Sequence, residues 1–370
     1  MGSTLKQTPF YTVHKEKNAR FAPFAGWEMP IQYPSGAIAE HRHVRAHLGV
    51  FDTSHMGRFE LRGKDVVSFL DYAVSSDILT LAENASRYGL LCREDGGIID
   101  DVFVYRLQDH FLVVVNASNL EKDYRHLDAL RKDFDVQLLD RSTETVMLAI
   151  QGPEAIPFLD TVGSAPLSGT PRFGAAYLKI DGVDVVVGRT GYTGEDGVEL
   201  FFGSESALQV WNYLFVEAEK HGTDLQPIGL AARDSLRFEP GFPLYGHELS
   251  EDITPLEARL KWACEFDRNF VGRDALRKRF DSADPRKLAT IVLRDRGVPR
   301  EGCAVHDPSD GSEIGLVVTG MYAPSVDAYA ANVYLDSTFN KVGTMLEIDI
   351  RGKRKAAEVI KRPLYTPSYR

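Results

Sequence analysis

The segment Arg189-Thr-Gly-Tyr-Thr-Gly-Glu-Asp-Gly-Val-Glu199 constrains this chain more than any other stretch. It sets three glycines and the acids Glu195, Asp196 and Glu199 directly after a β-branched run at residues 183–187. One strand must enter this loop and another must leave it. Glycine adopts positive φ and lets backbone approach closely, and a carboxylate accepts two parallel hydrogen bonds from an amidine-like edge. The segment reads either as a hairpin with solvated acids or as a rim that brings backbone and carboxylate to the edge of a flat polar ligand.

At 370 residues the chain exceeds one ordinary core, so two or three domains are expected. A net charge of −10 argues against a broad surface for phosphate backbones, and no nucleic-acid partner is expected. The basic run Arg351-Gly-Lys-Arg-Lys355, with Lys361 and Arg362 beyond it, reads either as a solvated hairpin or as a patch facing an anionic ligand tail, the hairpin being the commoner use. Cys92, Cys264 and Cys303 lie far apart without metal spacing, and their odd number fits a reducing compartment. No apolar run approaches the roughly 18 residues of a membrane span. The stretch holding Lys6, His14, Lys15 and Lys17 lacks the apolar core of a secretory signal. Cytoplasm is the expected location, or the mitochondrial matrix if a transit peptide has been removed.

Periodicity predicts a helix over residues 36–48, with Ile38, Val44 and Leu48 as apolar marks and Gly49 as its stop. Strands are expected at 57–61, 97–105, 111–115, 145–150, 176–180 and 183–187, and helices at 65–73, 120–132, 204–221 and 229–239. Irregular alternation of the two types points to α+β layers with antiparallel sheets. After residue 287 short strands and turns take over, and 344–350 with 356–360 read as one hairpin. Residues 280–370 therefore read as a small β-barrel or sandwich, with the charged link 278–287 as its boundary.

Several constellations carry potential chemistry. In Gly96-Gly-Ile-Ile-Asp-Asp101, paired acids open an apolar strand. An inward carboxylate there costs several kcal/mol unless partnered, so one acid is either satisfied by backbone donors or aimed at a ligand. In Gly229-Leu-Ala-Ala-Arg-Asp-Ser-Leu-Arg-Phe-Glu239, Arg233 and Arg237 share a helical face, which fits a surface ion-pair face or an enclosed Arg233. His43 and His47 have a spacing that can bind zinc, yet no supporting ligand accompanies them and no metal is expected. His55 stands between helix and strand and reads as a hydrogen-bonded core histidine or a site residue. Signatures of hydrolases, P-loop enzymes and nicotinamide enzymes are missing from the sequence.

Together these segments resemble one family, the tetrahydrofolate-dependent aminomethyltransferase, or T-protein, of the glycine cleavage system. The resemblance runs in order through Thr8-Pro-Phe-Tyr11, Phe24-Ala-Gly-Trp-Glu-Met-Pro30, Gly49-Val-Phe-Asp-Thr-Ser-His-Met-Gly57, Gly96 to Asp101, Val114-Val-Asn-Ala117, Gln151-Gly-Pro153 and the 189–199 segment. It continues through 229–237, Leu244-Tyr-Gly246, Thr254-Pro-Leu-Glu257 and Phe270-Val-Gly-Arg-Asp-Ala-Leu276. The resemblance implies an α+β, three-domain cloverleaf with mixed and antiparallel sheets, a C-terminal β-barrel and folate in a central hole. The implied domains are 1–50 plus 145–245, 51–144 plus 246–279, and 280–370. It implies Asp101 as the catalytic carboxylate beside the folate nitrogens, with Asp100 structural. Glu199 is implied at the pterin edge with Tyr192 nearby, Tyr88 and Tyr105 along the pterin slot, and Met56 on its apolar wall with Asn116 close by. Arg233 is implied at the entrance for a lipoyl arm, and Tyr369 and Arg370 complete the implied folate-binding set. Tetrahydrofolate is then the co-substrate and a lipoylated carrier protein of glycine cleavage the partner.

Three segments depart from the family pattern. Glu265-Phe-Asp267 stands where a lysine is usual, Met321-Tyr-Ala-Pro-Ser-Val326 where Ser/Thr-Phe-Ser-Pro-Thr-Leu is typical, and Asp327-Ala-Tyr-Ala-Ala-Asn332 where a lysine and Gly-Tyr-Val are usual. They fall where partner and arm are expected to dock. They keep open a folate-dependent demethylase of the same fold, taking methyl from a small O-, S- or N-methyl donor and giving 5-methyltetrahydrofolate. A folate-binding assembly factor is the third alternative. Its usual Lys-Gly-Cys motif is missing where Glu239-Pro-Gly-Phe-Pro-Leu-Tyr245 stands.

Overall fold

The run Gly197–Gly203 alternates two ways along one strand, and that alternation organises the first half of the molecule. Val198, Leu200 and Phe202 point into an apolar core, while Glu199 and Phe201 point to the other face. The structure is a computed structural model that describes residues 4–280 and 286–369. The strand lies in a six-stranded sheet ordered Ala175–Ile180, Val183–Gly188, Gly197–Gly203, Thr145–Gln151, Leu48–Asp52 and Leu225–Pro227. All ladders given for it are antiparallel except the last pair, where Leu225–Pro227 runs parallel to Leu48–Asp52.

Helices cover both faces of this sheet. Ala155–Val162 and Ala207–His221 pack Ile156, Leu159, Val210, Trp211 and Leu214 against Val50, Leu148, Ile150 and Leu200. The Ala207–His221 helix stops at Gly222, which takes left-handed φ of 67° while the helix's last carbonyls find backbone donors. On the opposite face, Val44, Ile228, Ala232 and Leu236 pack against Phe51 and Ala149. Buried Glu40 ties that layer together, accepting from Tyr33 N at 2.6 Å and from Gly229 N at 2.8 Å.

A second sheet runs in the order Ala85–Cys92, Ile98–Arg106, Phe111–Val115, Gly57–Arg62, Gln137–Asp140, and a short hairpin joins Arg20–Phe24 to Trp27–Gln32. The C-terminal strands close a six-stranded barrel: Arg286–Leu293, Ala328–Asp336, Glu313–Ala323, Ala304–His306, Met345–Ile350 and Lys353–Ile360. Its core is aliphatic, with Ile291, Val305, Val317, Val333, Leu346 and Val359. The expected α+β character, with mixed and antiparallel sheets and a C-terminal barrel, is what the structure has. Among the described residues no helix is long and apolar enough to cross a membrane.

The chain divides into two compact units. The first is Met1–Leu70, Ile78–Gly89 and Val102–Leu236; the second is Asp71–Asp77, Leu90–Asp101 and Arg237–Arg370. In the second unit a buried polar seam fixes the barrel strand Ala328–Asp336. Arg237, 1% exposed, donates to Glu248 at 2.9 Å, Asn332 Nδ2 donates to Glu248 at 2.7 Å, and Tyr334 donates to the Glu248 carbonyl at 2.8 Å. The expected surface ion-pair face is thus corrected for Arg237, whose guanidinium lies in the interior.

Most expected elements appear within a residue or two. The helix expected over 36–48 is shorter, Ala37–Ala46, and Ile38 is exposed. Leu48 and Gly49 belong instead to the strand Leu48–Asp52. Gly49 is not a helix stop but a contact point: a Cβ there would meet Ile228 Cγ1 at 2.3 Å. The basic run at 351–355 lies in a hairpin, with Arg351 and Gly352 in the turn after Met345–Ile350 and Lys353, Arg354 and Lys355 opening the strand Lys353–Ile360. The boundary link 278–287 falls partly on residues 281–285, which lie outside the described residues.

Candidate active site

The site grows from the loop between the strands Val183–Gly188 and Gly197–Gly203. Gln151 is its internal brace, donating through Nε2 to the carbonyls of Thr190 and Val198 at 3.1 and 3.2 Å and accepting from Thr193 Oγ1 at 3.0 Å. Gly191 must be glycine for this: an added Cβ would lie 1.8 Å from Gln151 Oε1. Gly194 supplies a φ of 82°. Arg45 holds the far side, donating to the Thr193 carbonyl at 2.7 Å and to Glu195 at 2.9 Å. Arg189 holds Asp196 at 2.8 Å. Two of the three acids in the segment are therefore spent on holding its shape.

Glu199 differs. It is 7% exposed, and its Oε2 accepts from Thr190 Oγ1 at 2.5 Å and from the Tyr105 hydroxyl at 3.0 Å, with the two hydroxyls 2.6 Å apart. Oε1 has no hydrogen-bond partner among the described residues, so one oxygen is anchored and the other is open to a donor. Tyr105 is fully buried, and burial with the Glu199 charge raises its phenol well above the ordinary range. It therefore acts as a neutral donor that orients the carboxylate. Gly188 makes room for it, since a Cβ there would sit 2.5 Å from the Tyr105 ring.

Around this triangle the first unit gathers aromatic and apolar side chains. Tyr88 meets Phe103 edge-to-face at 5.6 Å, Phe103 stacks on Phe173 at 6.3 Å, and Met56 and Phe103 pack against the cluster that holds Tyr105 and Phe201. Arg233, on the helix Leu230–Phe238, lies 4.8 Å over the Tyr192 ring. Its Nη1 is enclosed with no hydrogen-bond partner among the described residues, and burial lowers its pKa against the pull of Tyr192 and Glu199. Asn116, half-buried, ends the strand Phe111–Val115. The turn carrying His55 and Met56 is held by Arg58, which donates to the carbonyls of Met56 and Thr145 at 2.6 and 3.0 Å.

Asp101 is half-buried and Asp100 is fully buried. Alternation within Ile98–Arg106 sets Asp101 on the same strand face as Phe103 and Tyr105, with Asp100 on the other. In the second unit Tyr369 is exposed; Arg370 lies outside the described residues. The zinc-like pair His43 and His47 is otherwise engaged: His43 contacts the Asp224 carbonyl at 2.9 Å and His47 contacts Glu154 at 3.2 Å. No metal-binding group of side chains occurs among the described residues. A cavity of about 640 Å³ lies in the second unit, lined by Lys261, Phe266, Asp274, Arg277, Lys278 and Phe280, and none of the expected site residues lines it.

Thr190, Gln151 and Arg45 escaped the sequence reading as individual contributors. Thr190 and Gln151 were marked only as members of motif stretches and Arg45 only as part of a predicted helix, because their partners are set by contacts of 9 to 150 residues in separation.

Comparison with known proteins agrees with this architecture. Residues 10–268 match the GCVT N-terminal domain and residues 286–366 match the glycine cleavage T-protein C-terminal barrel domain. A protein named aminomethyltransferase from Desulfitobacterium hafniense is 40% identical over 365 residues, covering 98% of each chain. One of the same name from Symbiobacterium thermophilum is 40% identical over 379 residues, covering all of both chains. The crystal structure of glycine cleavage system aminomethyltransferase T from Bartonella henselae superposes with a TM-score of 0.92 at 33% identity, over 98% of this chain and 99% of that one. The chain belongs to the glycine cleavage T-protein family.

Proposed function

We propose that this protein is an aminomethyltransferase that moves a one-carbon unit from an aminomethylated lipoyl carrier protein to tetrahydrofolate, with release of ammonia. The observation that carries the folate half of this reading is the asymmetric Glu199 carboxylate, with Oε2 saturated by Tyr105 and Thr190 and Oε1 open. A pterin is planar, aromatic and edged with adjacent N–H donors, which is what an open, pre-oriented carboxylate oxygen accepts.

The residues present fit that group. Glu199 would take the donor edge, Tyr88 would offer an aromatic face and Met56 an apolar wall. Tyr105 sets the Glu199 rotamer from behind. Arg233 would set a positive charge beside the Tyr192 ring; Asn116 joins the proposed set in the first unit, and Tyr369 and Arg370 are proposed for it on the sequence resemblance alone. The folate supplies the nucleophilic nitrogen that takes up the carbon unit. Asp101 would hold the proton balance at that nitrogen and offset the positive charge that develops as ammonia leaves. Excluding water and holding both reactants together supplies much of the rate gain in such a transfer.

The test is ammonia release from purified protein given tetrahydrofolate and aminomethylated lipoyl carrier. Ammonia together with methylenetetrahydrofolate supports the proposal. No release, with 5-methyltetrahydrofolate formed from a methylated donor, moves the protein to the demethylase reading.

A further inference from the structure

Phe173 is the one aromatic residue with left-handed φ among the described residues, at 63°. A bulky side chain makes that conformation costly, and it persists only where the surroundings fix it. Here they do. Phe173 N donates to the Arg189 carbonyl at 3.0 Å, and Arg189 N donates to the Gly174 carbonyl at 2.8 Å. The Phe173 carbonyl accepts from Ser86 N at 2.6 Å and from Ser86 Oγ at 3.0 Å. Arg189 opens the loop of the candidate site, so that loop and the start of the strand Ala85–Cys92 hold the residue between them.

The ring so placed is 47% exposed and lies nearly parallel to Phe103, at 17° with 6.3 Å between centroids. Phe103 is half-buried and stands 6.3 Å from the fully buried Tyr105, whose hydroxyl reaches Glu199 at 3.0 Å. At the exposed end, the guanidinium of exposed Arg172 lies 5.6 Å from the centroid of the Phe173 ring. The first unit therefore carries a graded chain of contacts: a buried acceptor, three aromatic rings of rising exposure, and a cation in solvent. A folate has the complementary order, with a donor-edged pterin, an aminobenzoyl ring and glutamate carboxylates at the far end.

We propose that Arg172 is a specificity-determining residue for the folate tail: its guanidinium takes the carboxylates of a γ-linked polyglutamate chain, and Phe173 is the platform that holds it. The inference deepens the proposed function and rests on the reading of this site as a folate site. An arginine fork matches carboxylate geometry and stacks on aromatic faces. Stacking on a fixed ring reduces the freedom that this long side chain gives up at binding. Arg189 does not serve the tail, since it is spent on Asp196 and on the carbonyls of Ser168 and Thr170. Each further glutamate adds a carboxylate near Arg172, in a molecule whose net charge of −10 otherwise disfavours polyanions.

The experiment is calorimetric titration of the full chain with 5-methyltetrahydrofolate carrying either one glutamate or three, at low and high KCl. The wild type is compared with Arg172→Met, Arg172→Lys and Arg172→Glu. The expected wild-type result is about tenfold tighter binding of the triglutamate form, a ratio that shrinks as salt rises. Arg172→Met should bring the ratio to within about twofold while leaving affinity for the monoglutamate form within about threefold. Arg172→Lys should keep part of the preference, and Arg172→Glu should reverse it.

A wild type that binds both forms equally, or a ratio unchanged in Arg172→Met, overturns the inference and leaves the folate reading standing. A wild type that binds neither form refutes the folate reading, and the inference falls with it. Thermal melts accompany each variant; should one not fold, the wild-type ratio and its salt dependence decide.

Discussion

A single carboxylate is the centre of the proposed folate site. Glu199 has one oxygen anchored by Tyr105 and Thr190, so its open oxygen is presented without an entropic cost at binding. Glu199→Ala should weaken reduced-folate binding by about 1–3 kcal/mol, the cost of ligand donors left unpaired. Calorimetry reads this directly, and unaltered affinity would remove Glu199 from the edge-reading role. Tyr105→Phe deletes one anchor only, so a smaller loss of about 1 kcal/mol is expected in the same titration. Asp101→Asn should keep folate affinity within about tenfold while losing most turnover; single-turnover kinetics would show it, and wild-type turnover would end the catalytic assignment. Glu199 and Asp101 were singled out in the sequence as members of motif stretches. The orientation of Glu199 was not, because Tyr105 lies 94 residues away from it and only the folded sheet brings them together.

At the scale of elements, the site is built by close approach rather than by flexibility. The strand Val183–Gly188 ends on a residue without a side chain so that the Tyr105 ring can lie against it, and the loop beyond closes over the Gln151 amide. Gly188→Ala and Gly191→Ala should each destabilise the protein by about 1–3 kcal/mol through overpacking. Gly188→Ala should also weaken folate binding, since the tyrosine must move and takes the Glu199 anchor with it. Urea melts with parallel calorimetry check both effects, and a Gly188→Ala protein with unchanged affinity would show that the ring tolerates displacement. Local patterns revealed most of these elements: the strand expected at 111–115 is Phe111–Val115, a β-branched run bounded by turns. The helix expected over 36–48 came out short because Leu48–Asp52 pairs in parallel with Leu225–Pro227, a partner far along the chain that helical periodicity cannot reveal. The three acids of the 189–199 segment looked alike in sequence, and only long-range partners, Arg45 for Glu195 above all, separate scaffold from site.

At the scale of the whole molecule, acid sensitivity should have an internal source. Burial opposes charge on Glu248, but Arg237, Asn332 and the Leu244 amide outweigh it and hold the carboxyl below its ordinary value. A carboxyl depressed in the folded state stabilises it above the unfolded pKa, near 4.3, and that contribution is lost as pH falls through the folded value. Glu248→Gln should therefore lower the melting temperature at pH 7 and flatten its decline between about pH 5 and pH 3. An unchanged acid limb in the variant would place the sensitivity elsewhere. Arg237→Met should be costlier, about 3–5 kcal/mol, because it strands a buried carboxylate. The Glu248 seam also bears on where the chain can be cut. Residues 286–366 match a recognised barrel domain, yet Asn332 and Tyr334 inside that span reach for a carboxylate and a carbonyl that precede it. A fragment begun at the conventional barrel boundary would carry two severed polar contacts on an inner strand, whereas one begun near Arg237 would keep them whole. The natural excision point lies upstream of where resemblance alone would put the scissors.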